Sequence, residues 1–218
     1  MKVRVITPIR VGAEELNRRQ QRYTRLAPQG WDLALEDLPD DPGSPTELTS
    51  REQIAASEQV GLAVGSHTDA ARYDALLPDC VLDPNLAALH DANEIPVLGI
   101  TRLSAGFLAS LGIRFGVVTR NEIIADEYRA VIERYGLGDS FQGAYVLGLS
   151  VEDVANTEIW NAAVMEAAQS AQQDGVTVLV NGCSAVEVVV EQFSVRVIDP
   201  TALALRVADF AAGEHFLP

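Results

Sequence analysis

VTVLVNGCS, residues 176–184, begins as a short β-branched apolar run that leads to a cysteine, Cys183. The only other cysteine of the chain, Cys80, ends a similar run, ALLPDC, at residues 75–80. Short apolar runs bounded by turn residues are typical of buried strands. A loop and a helical pattern follow each cysteine. The two stretches therefore predict two similar strand–loop–helix units, each of which carries one thiol.

Runs of the same kind recur along the whole chain and alternate with helical patterns. Strands are predicted at residues 3–7, 61–66, 75–79, 97–100, 115–119, 144–147, 176–181 and 195–198. Helices are predicted at residues 13–26, 49–60, 84–92, 101–111, 123–135, 158–174, 185–193 and 201–213. A helix end and loop is the alternative at 61–66. This alternation indicates an α/β fold with mainly parallel sheets that are covered on both faces.

The order of elements is repeated within the chain. FGVVTR at residues 115–120 resembles VRVITP at residues 3–8, and both lead into a helix that ends on Arg-Tyr. Each half then carries a strand that ends on cysteine, a helix, a strand and a helix. We therefore predict two similar α/β halves with four-stranded sheets, related by a pseudo-twofold axis. Residues 1–98 plus 201–218 form the first half and residues 99–200 the second. The ligand cleft is expected between them, at the carboxyl ends of the strands.

Composition excludes several classes of function. Sixteen basic and 31 acidic residues give a net charge of −15, which disfavours nucleic acid as a partner. Lys2 is the only lysine, and a pyridoxal phosphate enzyme needs an internal lysine for its Schiff base. His67, His90 and His215 are scattered and show no metal-ligand spacing with the cysteines. No glycine-rich phosphate motif is present. We expect neither a cofactor nor a metal.

The same features predict a protein of the cytoplasm that has no membrane partner. No stretch approaches the roughly 20 apolar residues that a membrane helix needs. The start, MKVRVITP, is typical of a strand that enters a turn rather than of a signal peptide. In the cytoplasm, two cysteines are expected to be free thiols rather than a disulfide.

Two thiols that face each other across a cleft can act as an acid–base pair. A thiol in the first turn after a strand is expected near a helix N-terminus, which favours the thiolate. The thiolate takes a proton from one face of a carbon and the opposite thiol delivers one to the other face. Backbone N–H groups after each cysteine, and the hydroxyls of Ser184, Thr7 and Thr119, are candidates to stabilise the carbanion. Arg120 is a candidate to meet a carboxylate, with a solvated arginine as the alternative.

Structural interpretations compete with these functional ones. Buried free cysteine is common and is inert when it is only buried. Asp83, followed by Pro84, has the pattern of a helix N-cap. The two threonines can equally serve strand-end packing. The cluster Arg18, Arg19, Arg22 and Arg25 is predicted to be a solvated helix face.

The segments around the cysteines resemble one family. CVLDPNL at residues 80–86, IPVLGI at 95–100 and NGCS at 181–184 are similar to the cysteine segments of the aspartate/glutamate/hydantoin racemase superfamily, and are closest to its hydantoin racemase branch. The resemblance covers nearly the whole chain. It implies a cofactor-independent racemase with two α/β halves and one catalytic cysteine from each half. Arylmalonate decarboxylases and maleate isomerases share this fold.

The chain also departs from that family's pattern. TPIR at residues 7–10 replaces the Asn-Pro-Asn segment of the hydantoin branch, and Val81 and Leu82 replace the common Phe-Gly pair, with a bulkier side chain at the second position. We expect Pro8, Ile9 and Val81 to bind the substrate together with Thr119, Arg120 and Ser184. Homo-oligomers are common in the family.

The sequence thus predicts a racemase or epimerase that uses Cys80 and Cys183 at a carbon next to a carbonyl. The substrate is a small amino acid or a hydantoin, and hydantoin ranks above aspartate or glutamate because few basic groups are expected near the cleft. Cis–trans isomerisation or decarboxylation on the same scaffold is the alternative activity. A non-catalytic protein that binds a small molecule is the alternative from another class.

Overall fold

Seven strands form two parallel sheets in the structure, a computed structural model that describes residues 1–188 and 195–217. The strands are β1 (Lys2–Ile6), β2 (Asp32–Glu36), β3 (Ala75–Pro78), β4 (Phe115–Thr119), β5 (Phe141–Val146), β6 (Val178–Asn181) and β7 (Arg196–Ile198). The α-helices are α1 (Ala13–Leu26), α2 (Arg51–Gly65), α3 (Leu86–Asp91), α4 (Ile100–Ser110), α5 (Glu122–Arg134), α6 (Thr157–Gln173) and α7 (Pro200–Gly213). The predicted α/β class with two parallel sheets is confirmed.

The two sheets have the same strand order, as expected for a duplication. The first sheet is ordered β2-β1-β3 and the second β5-β4-β6-β7. The prediction of four strands in each sheet is wrong for the first. There the fourth strand is reduced to one parallel bridge between Leu76 and Val97, whereas Leu179 and Val197 pair inside a full strand. Pro96 has no N–H to extend the ladder, and α4 begins only three residues after the bridge.

Other differences concern individual elements. Residues 61–66 are not a strand, because α2 continues to Gly65 and the chain leaves the helix there. Strand β2 was not predicted: only Leu33 and Leu35 are large and apolar, and they alternate with polar or small residues as on an edge strand. The helix predicted at 185–193 is absent at residues 185–188, and the rest of it lies outside the described residues.

Local capping fixes several helix starts. Ser50 and Gln53 form a capping box at the start of α2. The Asn121 side chain accepts a hydrogen bond from the Ile124 N–H at the start of α5, at 2.9 Å. Asp199 caps α7, whose first residue is Pro200. These caps set where the helices leave the carboxyl ends of the strands, which is the edge where a cleft forms.

The cores are built from the sheets and the helices that cover them. All five residues of β4 are buried, as expected for a parallel strand covered on both faces. The last helix, α7, packs on α4 and α1. The division into residues 1–98 plus 201–218 and 99–200 stays a prediction. Over the described ranges, no helix combines the length and apolar character required to cross a membrane.

Candidate active site

The two cysteines line one cavity at the carboxyl ends of β3 and β6. The cavity has a volume of about 90 Å³ and holds both thiols in its wall. The backbone delivers them in the same way: the N–H of Asp79 donates to Ile6 O and the N–H of Gly182 to Val118 O, each at 2.8 Å. The residue before each cysteine is thus held by the central strand of its own sheet. This places the cysteines at equivalent positions of the two halves.

Most of the residues predicted to bind substrate also reach this cavity. Pro8, Ile9, Val81, Arg120 and Ser184 line it. The other lining residues are largely apolar: Arg19, Leu48, Asp79, Leu82, Ile124, Val151, Val154, Gly182 and Ala185. The cavity therefore offers a small apolar chamber with few charged groups.

Thr119 is not among the lining residues. It is fully buried, and its hydroxyl donates to Asn121 O at 3.3 Å. Its equivalent, Thr7, is also buried and donates to the Asp37 carboxylate at 2.9 Å. Both threonines therefore stabilise the turns that follow β4 and β1, which corresponds to the strand-end packing that competed with substrate binding.

Cys80 is a buried thiol in an acidic setting. Burial raises the pKa of the Cys80 thiol to about 12, and the neighbouring carboxylates of Asp79 and Asp83 contribute to this rise. The N–H of Leu82 donates to Cys80 Sγ at 3.5 Å and opposes it. Cys80 is therefore protonated at neutral pH and suited to deliver a proton.

Cys183 is more accessible than Cys80 and lies near cations. Burial raises the pKa of the Cys183 thiol, but the Arg19 guanidinium opposes that rise, as do the N–H of Ala185 and the Arg22 guanidinium. The Asp79 carboxylate adds to the rise in the pKa of Cys183. Of the two thiols, Cys183 is the one whose rise in pKa is opposed by neighbouring guanidiniums.

The predicted helix N-terminus beside each thiol is not found. After Cys80 the chain makes a turn, and α3 begins only at Leu86. After Cys183 the described residues form a turn and an irregular loop. Among the described residues, neither thiol thus lies in the first turn of a helix that follows it, and burial makes the charged form unfavourable at both.

Asp83 caps a different helix from the one predicted. Its carboxylate accepts hydrogen bonds from the N–H groups of Thr101 (3.1 Å) and Arg102 (2.7 Å) in the first turn of α4, and from the Tyr135 hydroxyl (2.9 Å). Burial raises the pKa of Asp83 to about 6, although these hydrogen bonds act to lower the pKa. Asp83 thus ties the loop after Cys80 to α4 and to the residue that ends α5.

The arginine cluster of α1 is only partly a solvated face, because Arg25 is exposed whereas two of the other arginines are buried. Arg19 and Arg22 are buried, with 6% and 2% of their surface exposed. Arg19 lines the cavity, and its Nη1 lies 3.4 Å from Asp79 Oδ2. The Tyr23 hydroxyl donates to Asp79 Oδ1 at 2.7 Å. Sequence reasoning missed this group. Its signal was the grouping of four of the 16 basic residues within eight positions.

Arg120 supplies a second guanidinium to the cavity. It is 8% exposed, and its Nη2 donates to Leu48 O at 3.0 Å. Within residues 1–188 and 195–217 it forms no ion pair, whereas Arg19 is matched by Glu15 and Asp79. Arg120 therefore has further N–H groups that can donate to a ligand, and it adds a positive charge without an ion-pair partner among the described residues to the cavity that holds the thiols.

A wider chamber of about 630 Å³ adjoins the cysteine cavity and shares Ile9, Arg19, Val151 and Val154 with it. Arg10 and Asp40 form an ion pair in its wall. The loop after β1 is held there by a carboxylate that sequence reasoning also missed. Asp37 accepts hydrogen bonds from the N–H groups of Val11 (3.0 Å) and Gly12 (2.8 Å). The chamber and the cysteine cavity therefore share part of their walls.

Sequence comparison identifies the family. A family model described as Asp/Glu/Hydantoin racemase matches residues 3–208. The chain belongs to this family. Membership assigns it to racemase-type enzymes that act on a small molecule. None of the curated proteins matches it in sequence.

Solved structures with similar folds include two allantoin racemases. The enzyme from Klebsiella pneumoniae superposes with a TM-score of 0.80 at 19% identity, covering 98% of this chain and 89% of that one. The enzyme from Pseudomonas fluorescens gives 0.74 at 17%, covering 99% and 92%. Glutamate racemase from Francisella tularensis, in complex with D-glutamate, gives 0.63 at 15%, covering 100% and 83%. At these identities the likeness establishes the fold.

The described residues of this racemase-family member contain no candidate metal site. No group of three or more His, Cys, Asp or Glu side chains could hold a metal ion among the described residues. The chemical groups that line the cavity are thus two thiols, two guanidiniums, one buried carboxylate, one serine and backbone amides.

Proposed function

We propose that this protein is a cofactor-independent racemase or epimerase in which Cys80 and Cys183 act as the two acid–base groups. The observation that supports this most directly is that two free thiols, carried by equivalent strand ends, line one small cavity. Inversion at a carbon needs a proton acceptor on one face and a donor on the other. Two thiols that face the substrate from opposite sides meet that need.

The reaction follows from these surroundings. One thiol must be ionised to accept the substrate's α-proton, and the second must hold a proton to deliver it to the opposite face. Cys80, with a pKa of about 12, holds its proton firmly. After one turnover the protonation states of the two sulfurs are exchanged. The reverse reaction then starts from the opposite thiol, so neither direction needs another proton carrier.

Negative charge develops on the oxygen next to the carbanion, and Arg120 is placed to stabilise it. Its guanidinium lines the cavity and has one protein acceptor, Leu48 O, among the described residues. A fixed donor in a site shielded from water stabilises charge more strongly than it would in bulk solvent. We assign to Arg120 the carbonyl or carboxylate oxygen that neighbours the reacting carbon.

The substrate we favour is a 5-substituted hydantoin rather than aspartate or glutamate. The wall is largely apolar, and Arg19 is already matched by Glu15 and Asp79. One unmatched guanidinium suits a single carbonyl or carboxylate, whereas a dicarboxylate would leave one charge unpaired. Two similar folds belong to proteins named as allantoin racemases, which agrees with a hydantoin-type ring.

The test is turnover of single enantiomers in deuterated water. Enantiopure 5-substituted hydantoins and amino acids are incubated with the native protein, Cys80→Ala and Cys183→Ala, and both optical activity and deuterium at the α-carbon are followed. We expect the native protein to racemise the substrate with deuterium incorporation. Each single variant should lose racemisation and retain exchange for one enantiomer only, opposite in the two variants. Full racemisation by either variant would refute the two-thiol mechanism.

The same samples separate the alternatives. Release of carbon dioxide from a malonate-type acid would indicate decarboxylation, and a covalent adduct on one cysteine would indicate the cis–trans isomerase chemistry. Binding without exchange in the native protein would indicate a non-catalytic binding protein. Circular dichroism of each variant establishes that a lost activity does not reflect a lost fold.

A further inference from the structure

Helix α1 contacts both cysteine loops through its arginines. Arg22 Nε donates to Ser184 O at 2.9 Å and Arg18 Nη2 donates to Ala185 O at 3.0 Å, so two guanidiniums hold the loop after Cys183. Arg19 is directed to the other loop, where it pairs with Asp79, the residue before Cys80. One helix thus bridges the two segments that carry the thiols.

A direct link between the loops completes this bridge. The Ser184 hydroxyl donates to Asp79 O at 3.0 Å, and the atoms of this bond are buried. Asp79 itself is fully buried and is held by Tyr23 and Arg19. Burial and the Asp79 carboxylate keep the pKa of the Tyr23 hydroxyl well above its ordinary value, so Tyr23 remains a donor. The distance between the two loops is therefore fixed by contacts that do not involve the thiols.

The charges around the two thiols differ. Cys80 has Asp79 and Asp83 beside it, one on each side in sequence. Cys183 has Arg19 and Arg22 from α1, with Asp79 from the opposite loop acting against them. The equivalent backbone positions thus differ in their charged neighbours, because guanidiniums act on Cys183 and an additional carboxylate, that of Asp83, acts on Cys80.

We propose that Arg19 is a positioning residue that makes Cys183 the thiol ionised in the active form and leaves Cys80 as the proton donor. This inference rests on the proposed function and deepens it, since it assigns the first base. Arg19 is held in place because its Nε donates to Glu15 Oε1, in the first turn of the same helix, at 2.8 Å. Arg22 reinforces the assignment through its hold on Ser184.

It follows that the enzyme does not treat its two enantiomers alike in the first turnover. The enantiomer whose α-hydrogen faces Cys183 reacts from the resting form. The opposite enantiomer reacts only from the form in which Cys80, in its acidic surroundings, is the ionised thiol. A single-turnover experiment should therefore show a burst for one enantiomer only.

The direct test is alkylation of each thiol by iodoacetamide as a function of pH, with the modified cysteine identified by mass spectrometry. The inflection of each profile is compared, rather than the rate, because Cys183 is the more exposed thiol. In the native protein we expect Cys183 to ionise at lower pH than Cys80. The reverse order would overturn the proposal without any variant.

Variants of α1 test the part played by Arg19. In Arg19→Gln, the reactive fraction of Cys183 at fixed pH should fall about tenfold, which corresponds to one pKa unit, while Arg19→Lys should keep most of it. The matched control is Arg25→Gln, because Arg25 lies on the same helix but is exposed. An unchanged Cys183 profile in Arg19→Gln, or an equal loss in Arg25→Gln, would refute the role. Racemisation by the native protein, measured in parallel, tests the proposed function separately.

Discussion

Replacing Gly182 by alanine is the sharpest test of how closely the cysteine loops are packed. Gly182 lies between β6 and Cys183, and its N–H donates to Val118 O at 2.8 Å. A Cβ at residue 182 would stand 2.2 Å from the same oxygen, and 3.1 Å from carbons of Thr119 and Val117. The added methyl group therefore meets backbone rather than a flexible side chain.

The size of the effect follows from these distances. Real Cβ atoms essentially never approach closer than 3.0 Å, so the 2.2 Å contact must open by at least about 0.8 Å. This shift disrupts the Gly182 hydrogen bond, which costs about 1 kcal/mol, in addition to about 1–3 kcal/mol for overpacking. The total of about 2–4 kcal/mol lowers Tm by about 4–16 °C in a protein of this size. A displacement of about 1 Å at a catalytic group costs about 100-fold in rate.

Thermal unfolding and initial rates of racemisation measure the two effects in one preparation. The matched control is Gly61→Ala, because Gly61 lies inside α2 with nothing within 4 Å of its added Cβ. Alanine there should stabilise the helix by about 0.5–1 kcal/mol and leave the rate unchanged. A Gly182→Ala protein that melts within 1 °C of the native protein and turns over at the native rate would show that the loop is not confined as described.

Three further outcomes are expected from single substitutions. The folded-state pKa of Asp83 is raised to about 6 from an ordinary 3.8. The protonated carboxyl therefore adds to the free energy of unfolding in full below pH 3.8, and this contribution is lost as the pH rises through 6. The loss amounts to about 3 kcal/mol in all. Urea unfolding of native and Asp83→Asn proteins at pH 4 and pH 7 should show this loss in the native protein alone, and parallel curves would contradict it. Arg120→Gln should lower kcat/KM at least about 100-fold with an unchanged circular dichroism spectrum, and native turnover would exclude its role at the developing oxyanion. Ser184→Ala removes the hydrogen bond to Asp79 O, so Tm should fall by about 2–4 °C, and a shift below 1 °C would mean that this bond does not hold the loops together.

The sequence was most informative where local pattern alone decides the structure. The strand at residues 115–119 and the helix at 13–26 were predicted with the bounds that the structure shows. β4 is buried along its whole length, so its sequence is one continuous apolar run. α1 has an apolar and a charged face, so its sequence shows the helical period. β2 was missed because a half-covered edge strand needs only Leu33 and Leu35 to be buried.

In the candidate site, too, the features that depend on local pattern were predictable and those that depend on distant partners were not. Strand ends meet at one edge of a parallel sheet, so the convergence of Cys80 and Cys183 on one cavity was predictable from their positions. The roles of Arg19 and Asp83 were not, because each is decided by a partner distant in sequence. Asp83 caps a helix that begins 17 residues later, and Arg19 pairs with Asp79, which is 60 residues away. Local rules would place Asp83 at the nearest helix and Arg19 on the surface.

The halves depart from symmetry around the two thiols, and in the proposed chemistry this departure decides which thiol acts first as the base. The position before each cysteine is held by the same backbone hydrogen bond, yet it is Asp79 in one half and Gly182 in the other. Asp79 is tolerated because Arg19 and Tyr23 cover its carboxylate, whereas at residue 182 even a methyl group collides with Val118 O. A duplicated backbone therefore presents two thiols to the same cavity, and the arginines of one helix, α1, give them different electrostatic surroundings. A thiolate accepts the α-proton and a thiol delivers one, so the thiol that gives up its proton more readily decides which enantiomer reacts from the resting form.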